Sequence, residues 1–125
     1  MLTLDTNILV GYLNNNEKIV KQLLSWRKSN VRFFISVITE IEILSLSKLN
    51  IEEINKLQKF LREFTIISLD SQLGKLTAEI RRERKFNLGD SIIVATAKLT
   101  NSTLITQDKE IIKKAKNLIY VQAIK

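Results

Sequence analysis

The segment Leu2-Thr3-Leu4-Asp5-Thr6-Asn7-Ile8-Leu9-Val10 holds the pattern on which the predicted fold depends. Its first residues, 2–4, form a short apolar run that predicts a strand ending at the carboxylate Asp5. The apolar residues that follow, as far as Leu13, recur at helical spacing, and Thr6 is a suitable N-cap for that helix. A strand, a polar residue and a helix in direct succession indicate one unit of an alternating α/β fold.

The same alternation continues to the end of the chain. Further strands are predicted at residues 31–35, 64–69, 103–106 and 118–121, and further helices at residues 17–28, 37–49, 51–62, 71–85, 90–99 and 109–116. Because the strands are continuous apolar runs, they indicate a parallel sheet that is covered on both faces. We therefore predict an α/β fold, a three-layer α/β/α sandwich with a central parallel sheet of about five strands, in one domain spanning residues 1–125.

The composition of the 125 residues restricts the chemistry that the chain can perform. There is no His and no Cys, which excludes an imidazole base, a thiol nucleophile and the usual kind of zinc site. Twenty Lys and Arg residues against 13 Asp and Glu give a net charge of +7, which favours a polyanionic or acidic partner. Since no signal sequence and no apolar run of about 18 residues is found, we expect a cytoplasmic protein without a membrane partner.

Four carboxylates are candidates for a functional site. In parallel sheets ligands bind beyond the carboxyl ends of the strands, where Asp5 and Asp108 follow the first and fourth strands. Glu42 and Asp90 are added because each lies in an otherwise apolar helix. Ionised carboxylates about 5 Å apart repel one another by about 3 kcal/mol per pair, so such a cluster requires protonation or a cation. Oxygen ligands select Mg²⁺ or Mn²⁺.

Each acid also has a simpler structural explanation. Asp5 and Asp90 could each cap a helix, and Asp108 could belong to an ordinary turn. Glu40 lies two residues from Glu42, about 200° around the same helix, so only one of the two can face a given pocket. The periodicity leaves open which of them does.

Four segments resemble, in order, the motifs of the PIN-domain family, the nuclease family that includes the VapC toxins. They are Leu4-Asp5-Thr6-Asn7-Ile8-Leu9-Val10, Ser36-Val37-Ile38-Thr39-Glu40-Ile41-Glu42-Ile43, Leu88-Gly89-Asp90-Ser91-Ile92-Ile93-Val94-Ala95-Thr96-Ala97 and Leu104-Ile105-Thr106-Gln107-Asp108-Lys109. In the second segment, alignment of the Ser and Thr favours Glu42 over Glu40. Gly89 stands where Pro is common in the family, and glycine is compatible with a helix start there.

The resemblance implies an endoribonuclease that cleaves RNA phosphodiesters with Mg²⁺ or Mn²⁺. It makes Asp5, Glu42, Asp90 and Asp108 the catalytic and metal-binding residues. Thr6, Asn7 and Thr106 are candidates for orienting them. The resemblance further implies the toxin of a VapBC-type toxin–antitoxin pair, with an antitoxin partner and a homodimeric state.

Basic residues flank the third and fourth motifs and could bind RNA phosphates. The candidates for RNA binding are Arg81, Arg82, Arg84, Lys85, Lys109 and Lys113, with Lys114 and Lys116 close by. The alternative is an ordinary solvated helix face on which Glu79, Glu83 and Glu110 are the local partners.

Two other functions are compatible with parts of the sequence. Asp70 follows the third strand, where a receiver-like signalling domain is phosphorylated. Receivers carry paired acids after the first strand, however, whereas Thr6 follows Asp5 here, and a helix cap is a simpler role for Asp70. The other alternative is a PIN-like domain that binds RNA or serves as a scaffold without catalysis.

Overall fold

The computed structural model describes residues 1–125 and has five strands and seven helices that alternate along most of the chain. The strands are β1 (Leu2–Leu4), β2 (Phe33–Ser36), β3 (Thr65–Ile67), β4 (Thr103–Ile105) and β5 (Val121–Gln122). The helices are α1 (Thr6–Leu13), α2 (Glu17–Lys28), α3 (Val37–Leu44), α4 (Ile51–Leu61), α5 (Ser71–Arg84), α6 (Leu88–Leu99) and α7 (Lys109–Ala115). None of these helices is long and apolar enough to cross a membrane.

All five strands are parallel and follow the order β3-β2-β1-β4-β5. The N-terminal strand, β1, is therefore the central one, and it pairs with β2 on one side and β4 on the other. Since β1 and β4 are neighbours, their carboxyl ends lie side by side at one edge of the sheet.

The sheet separates two apolar cores, which confirms the predicted three-layer architecture. One core is built from α1 to α4 and includes Ile105, and the other is built from α5 to α7 and includes Leu104. Leu104 and Ile105 belong to opposite cores because successive side chains of a strand point to opposite faces. Both are completely buried.

Several predicted boundaries are wrong by a few residues, for reasons that the hydrogen bonds explain. Asp5, and not Thr6, is the N-cap of α1, and Asn87 starts α6 ahead of Asp90. The last strand begins only at Val121, because the backbone N–H groups of Leu118 and Ile119 bind the carbonyl of Ala115 in a turn that ends α7.

Candidate active site

A cleft of about 400 Å³ opens at the carboxyl ends of β1 and β4. Its lining includes all four candidate acids, Asp5, Glu42, Asp90 and Asp108. Asp5 is only 5% exposed, Asp90 and Asp108 are half-buried, and Glu42 is exposed. Thr6, Asn7, Val10, Asn87, Gly89 and Ile93 complete the lining. The structure thus brings together the acids of four segments that are far apart in the sequence.

Asp5 is held at the floor of the cleft by two hydrogen bonds. The backbone N–H of Thr6 donates to its Oδ1 over 2.8 Å, and the hydroxyl of Thr106 donates to its Oδ2 over 2.6 Å. The Thr106 oxygen in turn accepts from Asn7 Nδ2 (3.3 Å) and from the backbone N–H of Asp108 (3.0 Å). Both acceptor positions of this hydroxyl are occupied, so its one proton is directed at Asp5.

Glu42 is oriented by a chain of two hydroxyls. Thr6 Oγ1 donates to Glu42 Oε1 over 2.8 Å, and Thr39 Oγ1 lies 2.9 Å from Thr6 Oγ1. Because the single proton of Thr6 is directed at Glu42, Thr39 is the donor in the second bond. Glu40 instead lines a separate depression with Leu44, Leu61 and Arg62. The structure therefore places Glu42, and not Glu40, in the cleft.

Asp90 lies in the first turn of α6, and Asp108 is the N-cap of α7. Asn87 Nδ2 donates to Asp90 Oδ2 over 3.1 Å, while Asn87 Oδ1 accepts from the backbone N–H of Asp90. Asp108 Oδ1 accepts from the backbone N–H groups of Glu110 (2.9 Å) and Ile111 (3.4 Å). Asp108 therefore caps α7 with one oxygen and keeps the other available to the cleft.

The negative charges of the cleft act on one another. Burial raises the pKa of Asp5 above its ordinary value of 3.8, and the negative charges of Asp90 and Glu42 add to this rise. The hydrogen bonds to Asp5 oppose it. The pKa of Asp90 is likewise raised, first by burial and then by the charge of Asp108. Deprotonating both aspartates together is thus costly without a compensating cation.

The donor set matches a hard divalent cation in its chemistry, because the cleft offers carboxylate oxygens and the chain has neither His nor Cys. As the side chains stand, no three acidic residues are gathered closely enough to hold one ion between them. Mg²⁺ usually keeps several of its waters and binds one or two carboxylates, so a pair of these acids is a sufficient protein contribution. The residues present therefore fit Mg²⁺ or Mn²⁺.

None of the six basic candidates lines the cleft. Arg81, Arg82 and Arg84 lie in the last turn of α5, Lys85 caps it, and Lys109 and Lys113 lie in α7. Arg84 Nη1 donates to the carbonyls of Lys114 (3.2 Å) and Lys116 (2.9 Å), so this guanidinium joins the ends of α5 and α7. The positive charge of Lys114 offsets a small part of the rise in the pKa of Asp90.

Two residues of the site were not predicted from the sequence. Asn87 caps α6 and binds Asp90, and Thr39 supports Thr6 from a fully buried position. Both could have been found by spacing, because Asn87 lies three residues before Asp90 and Thr39 three residues before Glu42, on the same helical face. Asp70 lies outside the cleft, where it caps α5 by accepting from the N–H of Leu73 (2.9 Å).

The comparison with protein families gives a match to the PIN domain over residues 2–117. Among solved structures, the chain is similar to a toxin–antitoxin complex from Klebsiella pneumoniae, with 27% identity and a TM-score of 0.82 over 98% of this chain and 96% of that one. It is also similar to VapBC2 from Rickettsia felis bound to a promoter DNA fragment (26% identity, TM-score 0.81, 98% and 97% coverage). A third similar structure is FitAcB from Neisseria gonorrhoeae (28% identity, TM-score 0.74, 97% and 96% coverage).

No curated protein gives a significant match to the sequence. The family match nevertheless spans nearly the whole chain, and the fold agrees with it. A receiver-like domain is excluded by this match and by the position of Asp70 outside the cleft. The chain belongs to the PIN domain family.

Proposed function

We propose that the protein is a metal-dependent endoribonuclease and the toxin of a VapBC-type toxin–antitoxin pair. The observation that carries this proposal is the convergence of Asp5, Glu42, Asp90 and Asp108 on one cleft at the carboxyl ends of the central strands. Two of these acids cap helices, but capping does not require all four to share one cleft. Burial and the neighbouring negative charges disfavour the ionised forms of Asp5 and Asp90. The four acids become useful when a divalent cation binds between them.

The chemistry of cleavage follows from what the residues hold in place. Asp5, Glu42, Asp90 and Asp108 would bind Mg²⁺ or Mn²⁺. The bound cation would supply an acidified water and neutralise charge on the scissile phosphate, which removes the need for an imidazole base. Thr106 and Thr6 are positioning residues, since each donates its one hydroxyl proton to a carboxylate and so fixes the direction of that carboxylate.

The basic residues beside the cleft would bind the RNA backbone. Arg81, Arg82 and Lys85 are exposed at the end of α5, and Lys109 and Lys113 are exposed in α7. Their positive charge, within a net charge of +7, would attract phosphates on either side of the scissile bond. Arg84 would contribute mainly by keeping the two helix ends together.

The test is cleavage of structured RNAs in the presence of Mg²⁺ or Mn²⁺, with matched pairs of variants. Glu42→Gln and Asp90→Asn are expected to lower the cleavage rate by at least about 100-fold, because losing a residue that only supports a metal ligand already costs about 10–100-fold. Glu40→Gln and Asp70→Asn alter the same residue types outside the cleft and should cleave like the wild type. Equal cleavage by Glu42→Gln and Glu40→Gln would refute the assignment of the site.

A catalytically silent RNA-binding module is the second candidate. It is favoured by one observation, namely that no three acids are gathered closely enough to hold one ion. Such a module would bind the same RNAs with Mg²⁺ present and release them uncut. The cleavage assay separates the two candidates directly.

The partners proposed for the toxin are an antitoxin protein and a second copy of the chain, in the cytoplasm. Support comes from similar structures, which are toxin–antitoxin complexes matched over nearly the whole length of this chain. Expression of the chain alone is expected to arrest growth, and co-expression with the product of an adjacent reading frame should restore it. Size-exclusion chromatography with light scattering would measure the molar mass in solution, which for a homodimer is twice that of one chain.

A further inference from the structure

A second, larger pocket of about 580 Å³ lies at the opposite end of the sheet from the acidic cleft. It is formed where the chain enters β4 and β5, by the segments that precede Thr103 and Val121. Helix α6 connects the two places, since Asp90 in its first turn lines the cleft and Lys98 near its last turn lines the pocket. Eight residues of helix separate them, which corresponds to about 12 Å.

The side chains of this pocket have free polar groups and no carboxylate. The residues that matter are Lys98, Asn101, Asn117 and Tyr120, with Leu118 and Ile119 as an apolar wall. The aromatic ring of Tyr120 is available to a ligand, because this side chain is 80% exposed. The only ion pairs of the protein are Arg27–Glu63 and Lys56–Glu52, so the ammonium of Lys98 has no acidic partner.

The backbone holds the two asparagines in a fixed arrangement. Asn101 and Asn117 have φ angles of 51° and 69°, in the left-handed region, and each lies two residues after the end of a helix. Their side-chain amides are exposed and make no hydrogen bond within the chain. Beneath them, the hydroxyl of Ser102 is held by Thr3 (2.6 Å) and Thr100 (2.8 Å), which makes the floor of the pocket rigid.

We propose that this pocket binds one nucleotide. An exposed aromatic ring offers a stacking surface for a base, amide groups can read the edge of that base, and an unpaired ammonium can bind a phosphate. The volume is within the range of small-ligand sites, and the absence of acids suits an anionic ligand. The nucleotide is either a free mononucleotide or one nucleotide of an RNA strand. Binding of an RNA strand here rests on the proposed ribonuclease function.

The experiment is calorimetric titration of the full chain carrying Glu42→Gln, so that any RNA stays intact. The ligands are adenosine monophosphate, uridine monophosphate, adenosine, ribose 5-phosphate and a single-stranded RNA of about ten nucleotides. Tyr120→Ala should weaken the binding of both mononucleotides about tenfold, because stacking is lost. Lys98→Ala should weaken the monophosphates and leave adenosine unchanged. Lys75→Ala, which alters an exposed lysine of α5, is the matched control and should change nothing.

The two sources are separated by the RNA arm. If Tyr120→Ala weakens only the RNA, the pocket is an additional contact for an RNA strand, and if it weakens mononucleotides alone, the ligand is a free nucleotide. The proposal is overturned if no ligand binds in a manner that depends on both Tyr120 and Lys98. The readout is binding and not cleavage, so a failure of the ribonuclease assignment leaves this result interpretable. Circular dichroism verifies that the exposed substitutions leave the fold intact.

Discussion

Replacing Thr106 by valine is expected to lower the free energy of unfolding by about 4 kcal/mol. Thr106 is completely buried, donates to Asp5 Oδ2 over 2.6 Å and accepts from the backbone N–H of Asp108 over 3.0 Å. A hydrogen bond to a charged group is worth about 1.5–3 kcal/mol, and a buried N–H left without an acceptor costs about 1–3 kcal/mol more. Valine has nearly the same shape, so no cavity contributes to the loss.

The loss is expected to grow as the pH rises. The hydroxyl of Thr106 lowers the pKa of Asp5, so its removal raises a pKa that already lies above the ordinary value of 3.8. An aspartate whose pKa is raised in the folded state contributes stability below its unfolded pKa and loses it as the pH rises through the folded pKa. The variant should therefore be most destabilised, relative to the wild type, at neutral and higher pH, and less so near pH 4.

Urea unfolding at several pH values, followed by the fluorescence of the single tryptophan, Trp26, measures both effects. Thr106→Ser keeps the hydroxyl and should retain most of the stability. Thr77→Val is the matched control, because Thr77 is also buried but its hydroxyl donates only to the carbonyl of Leu73 in its own helix (2.7 Å). If the two valine variants lose equal stability at every pH, Thr106 does not hold Asp5 in the way described here.

Three further predictions concern the metal, one arginine and two glycines. At about ten times its Kd, Mg²⁺ should stabilise the folded chain by about 1.4 kcal/mol at pH 7 in a thermal melt. This gain should become smaller at acid pH, where the carboxylates are protonated, and an equal gain in Asp90→Asn would contradict the site. Arg84→Ala should cost about 2 kcal/mol in urea unfolding, because its bonds to the two carbonyls at the end of α7 are lost. The exposed Arg82→Ala should cost almost nothing, and equal losses would show that those bonds are unimportant. Gly74→Ala should stabilise α5 by about 0.8 kcal/mol, since nothing beyond the backbone of its own helix lies within 4 Å of the added Cβ. Gly11→Ala should stabilise less than Gly74→Ala, since its Cβ would collide with Cδ1 of the buried Ile19, whose side chain would have to change rotamer. The opposite order of melting temperatures would refute this.

The fold can be predicted from the sequence because local signals and the sheet rule agree. The apolar run at residues 2–4 and the one at 103–106 are both bounded by polar residues, and parallel pairing then brings Asp5 and Asp108 to one edge of the sheet. Apolar character alone misleads at Leu118 and Ile119, where a turn takes the backbone hydrogen bonds that a strand would need. That competition depends on the end of α7 and is not visible in the composition of the segment.

The acidic residues of the candidate site can be predicted from the sequence, but their orientations and hydrogen bonds cannot. Which of Glu40 and Glu42 enters the cleft depends on the rotation of α3 about its axis, and that rotation is set by packing against α1, α4, α6 and the sheet. The second role of Asp108, as a helix cap, is likewise fixed only when the whole of α7 is in place. Asn87 is hidden because it lies just outside the motif that contains Asp90.

The central position of β1 has a consequence for biosynthesis. The hydrogen bond between Asp5 and Thr106 joins residues 101 positions apart, so a chain growing on the ribosome holds the first half of its cleft long before the second half exists. Until β4 emerges, one edge of β1 has no partner strand. Such distant pairings are slow to form, and the nascent chain is exposed to misassembly during that interval. A polypeptide interrupted before Thr106 has no means of completing the acidic cleft, however much of the remainder has folded.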